Sequence, residues 1–373
     1  MITLEGTSPP ERMEAVVLEG PGRLTVRGIP LWPLESYGDD DLVLVKVEAC
    51  GVCGSDLRYY RGENPWAQHT LGRHVDNPPN IVLGHEFAGT VVAVLHERNR
   101  PLLGKRVAPL CSKTCGACRY CTSERENLCP NTVHLGHGQG WGKQAFYPGA
   151  YAEYVPAWGR GCFEIPPSLT FEEASMMDIL AVCTHVTAQG RVRRGAPVLV
   201  LGAGPAGNGI AQAARVLGAE PVVLVDRSEK AVETARRCGF EHVIHAGDGE
   251  AVEREAAPIL GPGGALSVFD AVGAEWSIRT GLRLLDKGGT LVNMAVHEAE
   301  LRLNQTDLGG ERRLVTSCNF RLHEYPRALG WLAGGRIDVK PWLETVKRAE
   351  LPAVFETLLQ EDKGGRWFKV VAV

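Results

Sequence analysis

Four cysteines, Cys115, Cys118, Cys121 and Cys129, stand at the spacing C-x2-C-x2-C-x7-C within the stretch CSKTCGACRYCTSERENLC. Tetrahedral zinc takes four thiolates at about 2.3 Å, and C-x2-C turns bring thiolates to one point. The neighbours Arg119, Glu124, Arg125 and Glu126 put this stretch on an exposed loop, where free thiols would oxidise. The expectation is a structural zinc lobe, closed to substrate. Cys111 lies outside the pattern and reads as a strand-end thiol. Reactive groups must therefore lie elsewhere. Upstream, EACGVCGSDLR and VLGHEFAGTVV supply Cys53, His85 and Glu86. A thiolate, an imidazole and a carboxylate match a catalytic zinc site, which uses three protein ligands and keeps one position open. Taken singly, each is an ordinary core or surface group.

Residues 197–226, PVLVLGAGPAGNGIAQAARVLGAEPVVLVD, hold the second chemical signal. Gly202, Gly204 and Gly207, with Pro205 and Ala206 between them, form G-x-G-x-x-G after an unbroken apolar run. Such a run fits a strand buried on both faces of a parallel sheet. A helical segment and a second apolar run ending at Asp226 follow. The glycines allow a tight turn and close approach of a pyrophosphate to a helix N-terminus. An acid about 20 residues on makes the pattern specific for a dinucleotide. Asp226 would accept hydrogen bonds from ribose hydroxyls and repel a 2′-phosphate, so NAD is expected over NADP. Arg227 is the neighbour that could instead hold that phosphate. Further runs at HVIHA, LSVFDAVG, GGTLVNMAV and RLVTSCNF extend the sheet to about six strands. Ligands of such sheets sit beyond the strands' carboxyl ends, which marks Ala271, Val272 and Gly273, and Met294, Ala295 and Val296, as nicotinamide contacts.

The elements that carry these groups imply an α/β chain. Its 373 residues suit roughly two domains. The net charge of −4, with no basic cluster beside aromatics, gives no sign of nucleic-acid binding. No apolar run approaches the roughly 18 residues needed to span a bilayer, and no leader pattern follows Met1, so a cytoplasmic protein is expected. In a reducing compartment clustered cysteines read as ligands rather than disulfides.

Together, GVCGSD, GHE, the four-cysteine lobe and GAGPAG occur in the order seen in zinc-dependent medium-chain alcohol dehydrogenases, and the chain resembles that family over nearly its whole length. The resemblance implies a GroES-like β-rich catalytic domain (1–180, lobe at 111–130), a Rossmann domain (181–325) and a C-terminal return to the first (326–373). It also implies two zinc ions per chain, one catalytic and one structural, and a homodimer or homotetramer. By analogy Cys53 rather than Cys50 is the ligand, Ser55 passes on the substrate proton, and Asp56 supports the metal site from behind. ASMMDILAVCTHV aligns Asp178 with the third ligand. That Asp is similar to the glutathione-independent formaldehyde dehydrogenases, whereas polyol dehydrogenases carry Glu. Glu86 is the alternative third ligand, Cys183 a weaker one, and a helix-terminal charge the plain reading of Asp178. Val182 would back the nicotinamide. Where many relatives place a proton-relaying His, this chain has Arg58, which cannot deprotonate; it could bind cofactor or substrate instead.

Two inserts, YRGENPWAQHTLGRHVDNPP and HLGHGQGWGKQAFYPGAYAEY, bring Trp66, His69, Arg73, His74, His134, His137 and Trp141. They read either as substrate-facing loops suited to a polyhydroxylated ring or as solvated surface. The resulting expectation is an NAD-linked oxidation of a polyol, sugar, cyclitol or amino-cyclitol, or the reverse reduction. The rivals are a formaldehyde-type aldehyde dehydrogenase or dismutase and a non-catalytic zinc and nucleotide-binding protein. Replacing Asp226 by Ala with Arg227 retained should shift cofactor preference towards NADP, read as the ratio of kcat/KM for the two cofactors. A wild-type protein that already prefers NADP would contradict the assignment.

Overall fold

The computed structural model describes residues 1–6, 8–295, 300–360 and 367–373. The expected contact Val296 lies outside them. Two compact units form, one from Met1–Asp178 with Leu343–Gln360 and Lys369–Val373, the other centred on Ile179–Trp342. The boundary falls inside the helix Met177–Gln189, directly after Asp178.

In the first unit an eight-stranded, largely antiparallel sheet is built around the strands Leu42–Gly51 and Glu86–Val94. The two pair antiparallel, with Gly51 opposite Glu86 and Cys50 opposite Phe87. Their inner residues, Val43, Val45, Ala49, Ala88, Val91 and Ala93, are fully buried. The strand Lys369–Ala372 returns to the far edge of Leu42–Gly51, pairing Val371 with Gly51. One corner of this sheet thus gathers Gly51, the loop to Cys53, and the His85–Glu86 turn.

The second unit is the parallel sheet expected from the sequence. Its six strands run in the order His242–His245, Val222–Asp226, Val198–Leu201, Ala265–Asp270, Leu285–Asn293 and Arg313–Thr316. That is the doubly wound dinucleotide-binding order. Val198 to Leu201 are wholly inaccessible, as a strand covered on both faces requires. The helix Pro205–Val216 opens from Gly204 with Pro205 in its first turn and no side-chain cap, so its leading amides stay available to an anion.

The second unit continues to Trp342, beyond the expected boundary at 325. Gln212 on the Pro205–Val216 helix exchanges two hydrogen bonds with the Asp338 backbone, at 2.8 and 2.9 Å. Trp342 is fully buried and donates its indole N–H to Asn208 at 3.2 Å. These bonds hold residues 326–342 on the nucleotide unit, and the return to the first begins at Leu343.

A Cβ at Gly207 would collide with the carbonyl oxygen of Gly202, so the turn closes only around glycine. Gly207→Val should weaken NADH binding by about tenfold or more, roughly 1.4 kcal/mol, in a fluorescence titration. Unchanged affinity would remove the turn from the cofactor site.

Candidate metal and dinucleotide sites

The four lobe cysteines converge. Their sulfurs stand 3.5 Å (Cys129–Cys115), 3.6 Å (Cys118–Cys121), 3.8 Å (Cys118–Cys129) and 3.9 Å (Cys115–Cys121) apart. A tetrahedron with arms of 2.3 Å has edges of about 3.8 Å, so the donor set fits zinc. Backbone N–H groups of Ala117 and Cys118 directed at Cys115 pull its thiol down to about 6. That favours the thiolate a metal needs.

The second cluster lies at the sheet corner. Ligand atoms of Cys53, His85 and Glu86 all fall within 4.8 Å of one another. Cys53 caps the helix Gly54–Tyr60, which also carries Ser55, half-buried, and Asp56, fully buried. Asp56 Oδ2 accepts from the Cys53 amide and from the Tyr151 hydroxyl, both at 2.9 Å. Its other oxygen lies 3.3 Å from His85 Nδ1. This is the arrangement by which a carboxylate behind a histidine orients the ring and leaves Nε2 to a metal. Burial alone would lower the His85 pKa, but Asp56 and Cys53 raise it well above the ordinary value. The ring sits in a field that favours positive charge.

Glu86 is buried and paired through Oε2 with Lys369, whose Nζ also donates to the Val52 carbonyl at 2.9 Å. Burial works against the Lys369 ammonium, yet Glu86 and Cys53 hold its pKa above normal. Glu86 Oε1 is buried without a hydrogen-bond partner. Such an orphaned acceptor beside a thiol and an imidazole suits a cation.

Asp178 is not part of that tight cluster. It sits in the first turn of Met177–Gln189, half-buried, and its Oδ1 accepts from the Cys111 thiol at 3.2 Å. Burial raises its pKa, while His85 lowers and Glu86 raises it, so it feels the charges of the site. Cys50 is buried and directed at the Gly51 carbonyl, 3.8 Å away. Cys183 donates to the Ala206 carbonyl at 3.3 Å, within the nucleotide unit. Val182 is half-buried on the same helix. Arg58 pairs with Glu63 at 2.7 Å and with Gln68, both in the first insert.

In the nucleotide unit, Asp226 Oδ2 accepts from the Ala203 amide at 2.7 Å and Oδ1 from the Ser228 amide at 2.8 Å. The acid thus ties the glycine turn to the end of its strand. Arg227 offers its carbonyl to His245 at 2.9 Å. Asp270 Oδ1 accepts from the Val272 and Gly273 amides, at 2.9 and 3.1 Å, and Asn293 from the Ala295 amide at 2.9 Å. Both loops are therefore fixed by side chains of the strands they follow.

Sequence reasoning passed over Lys369, Tyr151 and the Cys111–Asp178 contact. A lone lysine in the apolar run FKVVAV was the available signal, because a buried ammonium demands a partner.

Comparison with known proteins agrees with this geometry. Residues 39–167 match the alcohol dehydrogenase GroES-like domain and residues 205–334 the zinc-binding dehydrogenase domain. Sorbitol dehydrogenase of Bacillus subtilis is 28% identical over 332 residues, covering 89% of each chain. A protein named probable D-xylulose reductase A from Arthroderma otae is 30% identical over 359 residues and 95% of each chain. Among solved structures, L-idonate 5-dehydrogenase of Escherichia coli superposes with a TM-score of 0.80 at 25% identity, covering 97% of this chain and 98% of that one. A zinc-binding dehydrogenase from Sinorhizobium meliloti, solved with NADP, gives 0.83 at 29% identity over 98% and 100%. The chain belongs to the zinc-dependent medium-chain alcohol dehydrogenases. It is an oxidoreductase that acts on a small-molecule alcohol or carbonyl compound with zinc and a nicotinamide cofactor. No described helix is long and apolar enough to cross a membrane.

Cys118→Ser should release one zinc, lower Tm and leave NADH binding to the folded fraction. Zinc content and Tm equal to wild type would refute the four-thiolate assignment.

Proposed function

We propose that this enzyme oxidises a secondary hydroxyl of a polyol, sugar, cyclitol or amino-cyclitol to the ketone, with NAD, at a zinc held by Cys53, His85 and a carboxylate. The observation that carries this is the convergence of Cys53, His85 and Glu86 at one buried corner, in a chain that also holds a glycine turn closed by Asp226. The sorbitol, xylulose and idonate enzymes among the relatives support the substrate class. Asp226 supports NAD. A cytoplasmic homo-oligomer completes the reading.

Two carboxylates compete for the third ligand position. Glu86 lies within reach of Cys53 and His85, but its charge is already opposed by Lys369. Asp178 has a neutral thiol as its hydrogen-bond partner. A dication gains more from a carboxylate that no other cation neutralises, so we assign the third ligand to Asp178 and leave Glu86 with Lys369. Bound there, zinc would supply Lewis-acid stabilisation of negative charge on the substrate oxygen, and a nicotinamide cofactor would supply the hydride acceptor. Ser55 takes the hydroxyl proton. Arg58 cannot carry it onward, and its bonds to Glu63 and Gln68 give it a role in holding the first insert.

A screen of polyols, cyclitols, amino sugars and simple alcohols, followed by NADH absorbance, tests the substrate class. Preference for short aliphatic alcohols would refute it, and aldehyde turnover without added NAD would favour the dismutase. Asp178→Asn should cut turnover about tenfold or more and weaken the catalytic zinc, in line with the loss of a group that supports a metal, while the lobe zinc stays. Loss of about 0.3–1 kcal/mol of stability alone would mark a helix-terminal charge. Full activity with both zincs would pass the role to Glu86.

A further inference from the structure

The second insert places an imidazole where packing alone does not call for one. His137 is buried, with 7% of its surface exposed, and neither ring nitrogen has a hydrogen-bond partner. Tyr59 stacks on the ring at 4.6 Å between centroids and His134 at 4.3 Å, inclined by 23° and 19°. Two near-parallel neighbours thus stack on the ring, and neither pairs with its nitrogens. A third neighbour, His85, stands edge-to-face with it at 5.0 Å and 66°. The unpaired donor and acceptor therefore stand beside the candidate metal ligand.

The backbone is shaped to hold the ring there. Gly136 and Gly138 flank it with φ of +78° and +72°. A Cβ on Gly136 would come within 2.7 Å of the carbonyl oxygen of Gly84, the residue before His85, and one on Gly138 within 2.8 Å of Pro78. The loop thus packs directly on the chain that presents His85, and only glycine fits at its two closest points. Burying a polar ring without partners is costly, and native chains pair such groups with a ligand or ordered water. A neutral imidazole offers one donor and one acceptor, which is the complement of a hydroxyl group.

We propose that His137 is a specificity-determining residue that hydrogen-bonds a second substrate hydroxyl, on the carbon next to the one oxidised. The inference rests on the proposed secondary-alcohol oxidation and narrows it to vicinal diols, including those of polyols and cyclitols. Trp66 supports it, because its indole N–H is also buried without a partner and its backbone amide meets the Tyr59 hydroxyl at 3.4 Å. The first insert thereby adds a further unspent donor close to the same stack.

The test compares the vicinal diol of cyclohexane with cyclohexanol, both at saturating NAD. Wild type should favour the diol in kcat/KM by about tenfold or more, as a site built to pair a hydroxyl discriminates against its absence. His137→Phe keeps the ring and its stacking but removes both nitrogens. It should erase most of that preference while leaving kcat/KM for cyclohexanol within about threefold, and His137→Gln, which retains a donor and an acceptor, should restore part of it. Equal losses on both alcohols in His137→Phe would reduce His137 to packing or to holding a water, and overturn the proposal. If His137→Phe does not fold, a wild-type preference near unity overturns it and a strong preference that falls in His137→Gln sustains it. Cyclohexanol oxidised as well as the diol sinks this inference alone. No NADH from either alcohol sinks it together with the oxidation on which it rests.

Discussion

The buried ion pair between Glu86 and Lys369 is the constraint on which the corner holding Cys53 and His85 depends. Neither side chain reaches solvent to any useful extent, so each carries a desolvation penalty of several kcal/mol that the other chiefly offsets. Glu86 follows His85 directly. Lys369 opens the strand that pairs with Cys50 and Gly51 and also holds the Val52 carbonyl next to Cys53. One charge pair therefore fixes the chain segments that carry Cys53 and His85. Losing either partner would leave a buried charge uncompensated, at about 3–5 kcal/mol, which is a large share of a domain's stability.

Around that pair the charges are unequal. Asp56 and Glu86 are buried acids and Asp178 a half-buried one within the same unit, with the half-buried Cys53 thiol, against Lys369 and the His85 ring. Part of the imbalance is relieved locally. Asp56 takes an amide, a phenol and the imidazole, and Asp178 takes a thiol and is pushed towards its neutral form by burial. The remainder is what a divalent cation would cancel. The lobe offers a different donor set, four converging thiols on a short segment, with backbone amides easing ionisation at Cys115.

The signals that could be read from the chain alone are local ones. Cysteines two residues apart, a glycine turn between a buried strand and a helix, and an acid at the end of the next strand all act within some thirty residues, and their geometry follows from spacing. The Cys53, His85 and Glu86 set was visible as residue types, while its closure was supplied by strand pairing between Leu42–Gly51 and Glu86–Val94. What escaped notice was long-range. Lys369 meets Glu86 across 283 positions, Tyr151 meets Asp56 across 95, and Asp178 meets Cys111 across 67. The end of the nucleotide unit escaped for the same reason, since Gln212 and Asn208 bind a segment more than a hundred residues later. The inserts differ again. Their composition allowed a solvated loop, and only the fold shows Trp66, His134 and His137 buried while Arg73 and His74 stay exposed.

The distance between Glu86 and its lysine also has a meaning in time. A ribosome adds about 5–20 residues each second, so Glu86 is made roughly 14–57 s before Lys369. In that interval the nucleotide unit is synthesised and can fold as a unit of its own. Glu86, meanwhile, has lost neither its need for a cation nor its water, and the edge of Leu42–Gly51 that Lys369–Ala372 will cover lies open. Over that interval the nascent protein carries a charged, unpaired sheet edge. That charge discourages neighbouring chains from adding a strand there, and the corner holding Cys53 and His85 closes only once Lys369 has been made.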